Sequence, residues 1–158
     1  MTTENQSKKF YYWEDFYHGQ IIECGPYKVS EEEILEFAQK YDPQRFHVSK
    51  DSAELTIFKG LIASGWQTAG LMMRMVCDGF MLNSSSTGSP GIDSLKWIKP
   101  VRPGDSLNTI VEILETRALN SKPTIGMVKT RWSCYNQHQE LTTTIEAWNM
   151  FEKRPLSV

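Results

Sequence analysis

The stretch Leu61–Leu82, LIASGWQTAGLMMRMVCDGFML, decides the fold of this chain. Its apolar residues cover more than one stripe of a helix, so the pattern predicts the longest helix of the protein here. A helix that is apolar around most of its circumference must be wrapped by other elements rather than laid on a surface. We therefore expect a sheet that encloses this helix.

The last third of the chain supplies the strands for that sheet. Four segments are rich in Val, Ile, Thr and Trp and alternate in polarity, at 92–98, 106–116, 124–135 and 140–151. An earlier strand is predicted over 20–29 with an interruption at Gly25-Pro26, and the serine-rich segment 83–90 is predicted to be a flexible link. The expected fold class is α+β, with an antiparallel sheet curled around one long central helix.

Length and composition limit the possible functions. The 158 residues are enough for one domain, which we place at 10–158 after a disordered N-terminus at 1–9. Seventeen Lys and Arg are scattered among nineteen Asp and Glu, a balance that disfavours nucleic acid as a partner. Cys24, Cys77 and Cys134 lack the spacing of a disulfide framework or a metal site. No signal peptide or membrane span is indicated, so we expect a cytoplasmic protein.

An acid and an imidazole stand five residues apart just upstream of the long helix, in the segment DPQRFH from Asp42 to His47. Pro43 disfavours the α region for Asp42, so this segment is predicted to be non-helical. Gly60 precedes the apolar run, and we expect free backbone N–H groups there that could receive developing negative charge. Together these features outline an active site. On spacing alone, a turn residue and a surface imidazole are the alternative interpretation.

Three segments resemble the MaoC-like dehydratases, the family that includes the (R)-specific enoyl-CoA hydratases. The family motif, an Asp, one residue, Asn-Pro, an aliphatic residue and His, corresponds to Asp42-Pro43-Gln44-Arg45-Phe46-His47. The likeness extends through GLIASGWQTAGLMMR at 60–74 and PGIDSLKWIKPVRPGD at 90–105. Gln44 and Arg45 replace the usual Asn-Pro, and Lys59 stands where many members have a His before the glycine.

The resemblance implies a single hotdog domain that acts as a carbon–oxygen lyase of fatty acid metabolism. It implies an acyl-CoA thioester as the substrate, no cofactor, and a homodimer or higher homo-oligomer. Asp42 and His47 match the catalytic pair of the family, and Gly60 matches the glycine whose N–H holds the thioester oxygen. An unpaired edge strand and the wide apolar helix surface also favour the dimer.

Other polar residues near this region are weaker candidates for substrate binding. Ser64 is a small residue near the start of the helix, and Thr68 either faces the pocket or bonds to its own backbone. Arg45 and Lys59 could hold the phosphates of coenzyme A, or they are simply exposed loop charges. Two other functions remain open, an acyl-CoA thioesterase of the hotdog fold and a non-catalytic acyl-CoA-binding protein. A thioesterase would need a carboxylate on the helix, where only Asp78 is available.

Overall fold

The computed structural model describes residues 9–156, which form an α+β fold with one antiparallel five-stranded sheet. The strands are β1 (Ile21–Lys28), β2 (Ser86–Trp97), β3 (Ser106–Ala118), β4 (Ile125–Tyr135) and β5 (Leu141–Glu152), in the spatial order β1-β3-β4-β5-β2. The helices are α1 (Glu31–Tyr41), α2 (Arg45–Val48), α3 (Lys50–Glu54) and α4 (Gly65–Gly79). The predicted disorder at 1–9 concerns mainly residues 1–8, which lie outside the described range.

The long helix α4 is wrapped by the sheet, as its sequence predicts. Met72 and Val76 on this helix are fully buried in the core, together with Val111 of β3 and Val128 of β4. The strands present alternate residues to the helix, most regularly in β4, where every second residue from Val128 onward is buried. The apolar surface of the helix and the alternating strands therefore form one core.

The start of α4 differs from the prediction by four residues. The helix begins at Gly65 rather than Leu61, and a short 3-10 turn at Met81–Asn83 follows its end. Ser64 is the reason for the late start, because its extended backbone and its side chain, which accepts from the Trp66 N–H at 3.3 Å, make it the N-cap. Leu61, Ile62 and Ala63 are buried but are not helical.

The serine-rich segment 83–90 is not a flexible link, and this prediction was wrong. Residues from Ser86 onward belong to β2, which pairs with β5 from Ser86↔Phe151 to Trp97↔Thr143. The register shifts at Ser86/Gly88 and Gly88/Gly91, so the pairing is irregular where the sequence is richest in Ser, Gly and Pro. An edge strand tolerates such residues because one side of it makes no ladder hydrogen bonds.

Helix α1 begins and ends where its sequence indicates. The Ser30 hydroxyl accepts from the Glu33 N–H at 3.2 Å, and the Glu33 carboxylate accepts from the Ser30 N–H at 2.9 Å, which is a capping box. The helix ends at Tyr41, and its C-cap residue Asp42, which precedes Pro43, has φ −150° and ψ 69°. The strand predicted over 20–29 is β1, and its pairing with β3 is broken between Cys24 and Tyr27 as expected.

The aromatic N-terminal segment packs over one end of the core. Phe16 is buried and its ring is tilted against that of Phe151, with the ring centroids 4.5 Å apart. The Trp13 indole N–H donates to the Met127 carbonyl at 3.2 Å. Within residues 9–156, every helix is too short or too polar to cross a membrane.

Candidate active site

Asp42 is held at the end of α1 by two side-chain donors. The Ser64 hydroxyl donates to Asp42 Oδ2 at 2.7 Å, and the Gln44 amide donates to Oδ1 at 2.8 Å. Burial raises the pKa of the Asp42 carboxyl, but the hydrogen bonds from Ser64 and Gln44 and the nearby His47 outweigh it, so the pKa is lowered overall. Asp42 is therefore a carboxylate with a fixed orientation at neutral pH.

His47 is buried and its tautomer is fixed by the backbone. Its Nδ1 lies 2.8 Å from the carbonyl oxygen of Ile62. A carbonyl oxygen only accepts, so Nδ1 carries a proton and Nε2 is the nitrogen that can gain or lose one. Nε2 lies 3.4 Å from Asp42 Oδ2, a separation at which a third group can form hydrogen bonds with both atoms. With 5% exposure, the His47 imidazole is not a surface group.

His47 belongs to a helix, contrary to the prediction of a non-helical Asp42–His47 segment. The short helix α2 spans Arg45–Val48, while Asp42 itself is non-helical as Pro43 requires. Pro43 restricts only the residue before it, and Gln44 at φ −72° and ψ 144° is the N-cap of α2. The helical turn points the His47 imidazole inward, under Phe46, whose ring centroid lies 4.5 Å away.

Gly65, not Gly60, stands at the N-terminus of α4 beside the acid–base pair. The Gly60 N–H donates to the Ala53 carbonyl at 3.4 Å, and Gly60, with φ +142°, belongs to the turn after α3. In the part of the chain that the structure describes, the Gly65 N–H has no acceptor, which is ordinary for the first residue of a helix. The positive end of the α4 dipole also lies at the Gly65 N–H.

One cavity of about 410 Å³ joins these groups. Asp42, His47 and Gly65 all line it. Its exposed rim carries polar and aromatic side chains, and its buried walls come from the segments around α4 and β5. Further lining residues include Gln44, Trp66, Thr68, Trp97, Lys99 and Thr143. The arrangement brings a base, an acid and a backbone N–H to one solvent-accessible space.

Two tryptophans shape the rim of this cavity. Trp66 on the first turn of α4 and Trp97 at the end of β2 meet edge to face, with ring centroids 5.3 Å apart. Trp97 lies so close to Gly65 that a Cβ on residue 65 would come within 2.4 Å of its indole ring. Residue 65 must therefore be glycine for Trp97 to hold this position.

The predicted substrate-binding residues divide into two groups. Ser64 and Thr68 lie at the site: Ser64 bonds to Asp42, and Thr68 lines the cavity while its hydroxyl donates to the Ser64 carbonyl at 3.3 Å. Arg45 and Lys59 are exposed and, like Gly60, do not line the cavity. Lys59 instead forms part of the turn after α3 with φ +52°.

Sequence reasoning missed Gln44, Gly65, Trp97 and Thr143. One signal for Gly65 was present, because a serine before a glycine and an apolar run is a typical helix N-cap. Gln44 is adjacent to the motif that contains Asp42. Nothing in the local sequence indicates that Trp97 and Thr143 lie against α4, since their placement depends on the pairing of β2 with β5.

Comparison with known proteins places this geometry among related chains. A model of the MaoC like domain family matches residues 17–131. The uncharacterized protein YdeM of Bacillus subtilis is 34% identical over 127 residues, which are 80% of this chain and 88% of YdeM. The (R)-specific enoyl-CoA hydratase of Rhodospirillum rubrum is 33% identical over 107 residues, 65% of this chain and 69% of the hydratase.

Solved structures share the fold. The MaoC-like dehydratase from Rhodospirillum rubrum superposes with a TM-score of 0.85 and 30% identity, covering 92% of this chain and 99% of the dehydratase. Rv0216 from Mycobacterium tuberculosis, described as a double hotdog fold, superposes with a TM-score of 0.79 and 17% identity over 94% of this chain and 46% of its own. The curled sheet around α4 is a hotdog fold.

Proposed function

Since the chain belongs to the MaoC-like family, we propose that it is a hydratase or dehydratase that adds water to, or removes it from, the double bond of a 2-enoyl-CoA thioester. The similarity of the chain to the (R)-specific enoyl-CoA hydratase from Rhodospirillum rubrum supports this reaction class. The observation that carries the proposal is the convergence of Asp42, His47 and Gly65 on one cavity. The reaction changes no oxidation state overall and needs no cofactor.

The acid–base pair suits a water molecule held between its two members. In hydration, the water gives a proton to His47 Nε2 or Asp42 Oδ2, and its oxygen bonds to carbon 3 of the enoyl group. The electron pair of the double bond moves toward the thioester, whose oxygen gains negative charge. A proton from the pair then reaches carbon 2. The two residues share one proton network, so they act as a unit.

Gly65 is the group that we assign to the thioester oxygen. Its N–H is unpaired within residues 9–156 and stands at the positive end of α4, where developing negative charge is stabilised. This assignment takes the role that the sequence resemblance implied for Gly60. Ser64 positions the pair by holding the Asp42 carboxylate at 2.7 Å and capping the helix whose first residue is Gly65.

Hydration is favoured over thioester hydrolysis by the position of the helix carboxylate. Asp78 is exposed near the C-terminal end of α4, accepts a hydrogen bond from Arg74 at 2.8 Å, and does not line the cavity. The test is incubation of pure protein with crotonyl-CoA while enoyl thioester absorbance and free thiol are both followed. Loss of absorbance without thiol release is the expected result. Thiol release would indicate a thioesterase, and no change would indicate a binding protein.

The hydroxyl of Ser64 is expected to set the pH profile of activity. Ser64→Ala removes a hydrogen bond to a carboxylate, so the lowered pKa of Asp42 should rise. Activity that requires ionised Asp42 is lost as pH falls through that pKa, so the acid limb of kcat/KM should move to higher pH. A hydrogen bond to a charged group contributes about 1.5–3 kcal/mol, and a loss of that size would lower kcat/KM by roughly 10-fold to 150-fold.

Ser30→Ala is the matched control for this change. It removes the cap of α1 as Ser64→Ala removes that of α4, and each is expected to cost about 1 kcal/mol of stability. Ser30 is remote from the cavity, so its variant should keep the pH profile of the wild type. An unshifted acid limb in Ser64→Ala would contradict the positioning role of Ser64.

We also propose a homodimer joined through the β2 edge of the sheet. In the described sheet, β2 is an outer strand, and Ile92 on it is 56% exposed. Trp66 and Met73 on α4 are 61% and 46% exposed, so an uncovered apolar surface adjoins the cavity rim. A second copy would cover both this surface and the unpaired strand edge.

Light scattering at micromolar concentration tests the dimer. The wild type should have twice the mass of one chain, and Ile92→Lys should shift it toward monomer by placing a charge in the interface. Ile21→Lys is the control, because Ile21 is 53% exposed on β1 at the opposite edge of the sheet. A monomeric wild type would count against the proposal, and dissociation by Ile21→Lys alone would assign the interface to the other edge.

A further inference from the structure

Two threonines lie among the buried residues that line the cavity. Thr68 on α4 and Thr143 on β5 both line it and are 2% and 1% exposed. The Thr68 hydroxyl donates to the Ser64 carbonyl, which leaves its oxygen free to accept a hydrogen bond. Within residues 9–156 the Thr143 hydroxyl has no hydrogen-bond partner. Its oxygen is reachable from the cavity, and an apolar group that covered it there would leave the hydroxyl unpaired, so Thr143 is suited to a polar partner that enters the cavity.

The acyl group of a thioester would occupy this buried end. Coenzyme A carries charged phosphates that must stay in water, and the exposed lining residues, among them Gln44, Trp66 and Lys99, are all on the rim. With the thioester oxygen at the Gly65 N–H, the nucleotide leaves past the rim. The carbons beyond the double bond then extend toward Thr68 and Thr143.

The buried end is also short. Thr68 lies about 4.5 Å along the α4 axis from Gly65, because a helix rises 1.5 Å per residue. One turn farther, Met72 is fully buried in the core and does not line the cavity. Along α4 the cavity therefore ends between Thr68 and Met72, which favours a short acyl chain.

Charge restricts the polar group that could reach the threonines. Among the described residues that line the cavity, Lys99 is the only lysine or arginine, and it lies exposed on the rim in an ion pair with Glu140. Asp42 adds a carboxylate to the same space. A second negative charge on the substrate would therefore be repelled, whereas a neutral hydroxyl can both donate to and accept from the threonines.

We infer that the site selects short 2-enoyl thioesters with a hydroxyl group at the end of the acyl chain. This inference rests on the proposed hydratase function and names its substrate class. Thr143 is then a specificity-determining residue, with Thr68 as its partner across the cavity. The apolar residues Ala63 and Val101 beside them pack against the carbon skeleton.

A pair of substrates of equal size tests the inference. The thioesters 2-pentenoyl-CoA and 4-hydroxy-2-butenoyl-CoA differ only in that a terminal methyl group replaces a hydroxyl group. We expect the wild type to hydrate the hydroxylated thioester with a kcat/KM about 10-fold higher or more, because the methyl group would leave the Thr143 hydroxyl unpaired. Loss of thioester absorbance gives both rates, and 2-decenoyl-CoA should be hydrated poorly.

Thr143→Val keeps the shape of the side chain and removes its hydroxyl, so the preference should disappear or reverse. Thr142→Val is the matched control: Thr142 is equally buried on β5, but its hydroxyl donates to the Cys134 carbonyl at 3.1 Å and does not line the cavity. That variant should keep the substrate preference of the wild type even where its melting temperature falls.

The possible outcomes separate the two proposals. Hydration of both thioesters at equal rates, or a preference for the pentenoyl compound, would overturn the inference and leave the hydratase function intact. A preference that survives in Thr143→Val would equally overturn the assigned role of Thr143. Absence of hydration with either thioester and with crotonyl-CoA would overturn the proposed function itself. The wild-type comparison does not depend on whether either variant folds.

Discussion

Asp42→Asn and His47→Gln are each expected to lower kcat/KM for the hydration of crotonyl-CoA by on the order of 100-fold or more, the scale of general acid–base catalysis. Both changes keep the size of the side chain. An asparagine in place of Asp42 could still accept from Ser64 but could not take a proton. A glutamine in place of His47 would lack the ring nitrogen that faces Asp42 at 3.4 Å. Initial rates of crotonyl-CoA hydration, measured at several pH values, would give the loss of kcat/KM for each variant.

The double variant and one control distinguish catalysis from a structural role. Because the pair acts on one proton network, the double variant should be little worse than either single variant. Asp78→Asn removes an exposed carboxylate of α4 that does not line the cavity, so it should leave the rate unchanged. Full activity in both single variants, with every thioester that the wild type hydrates, would refute the assignment and favour an acyl-CoA-binding protein.

Sequence patterns predicted the fold well because the strongest signals are local. The apolar circumference of α4, the capping box of Ser30 and the alternation in β4 each depend on residues within a few positions of one another. The error in the predicted start of α4 also arises from local signals. Leu61–Ala63 are apolar and buried like the helix that follows, and only the N-cap geometry of Ser64 separates them from it.

The site was predictable in part for a similar reason. Asp42 and His47 are near neighbours in the chain, and their spacing together with the flanking resemblance to the MaoC-like dehydratases indicates the pair. The walls of the cavity come from elements that are distant in sequence, so Thr143 and Trp97 reach α4 only through the register of the sheet. The contact between Gln44 and Asp42 could not be predicted from spacing, because it depends on the break that Pro43 imposes between α1 and α2.

The backbone N–H of Gly65 is expected to contribute about as much as one member of the acid–base pair, since removing one donor to a developing oxyanion costs on the order of 100-fold or more. Proline at position 65 deletes this N–H. The backbone allows it, because residue 65 is the first of the helix and Ser64, at φ −58° and ψ 140°, has the conformation that precedes proline. The obstacle is Trp97, whose indole would lie 2.4 Å from any Cβ at this position.

The comparison should therefore be made in a Trp97→Ala background, which removes the steric conflict. In that background, Gly65→Ala keeps the N–H and adds only a methyl group, whereas Gly65→Pro removes the N–H at the same site. We expect Gly65→Pro to be at least about 100-fold less active in kcat than Gly65→Ala, with similar melting temperatures, because the interaction strengthens as charge develops on the thioester oxygen. Equal activity of the two variants would show that the N–H of residue 65 is not the donor. The N–H of Gln67, which also has no acceptor among the described residues, would then be the next to test, since it shares the same helix dipole.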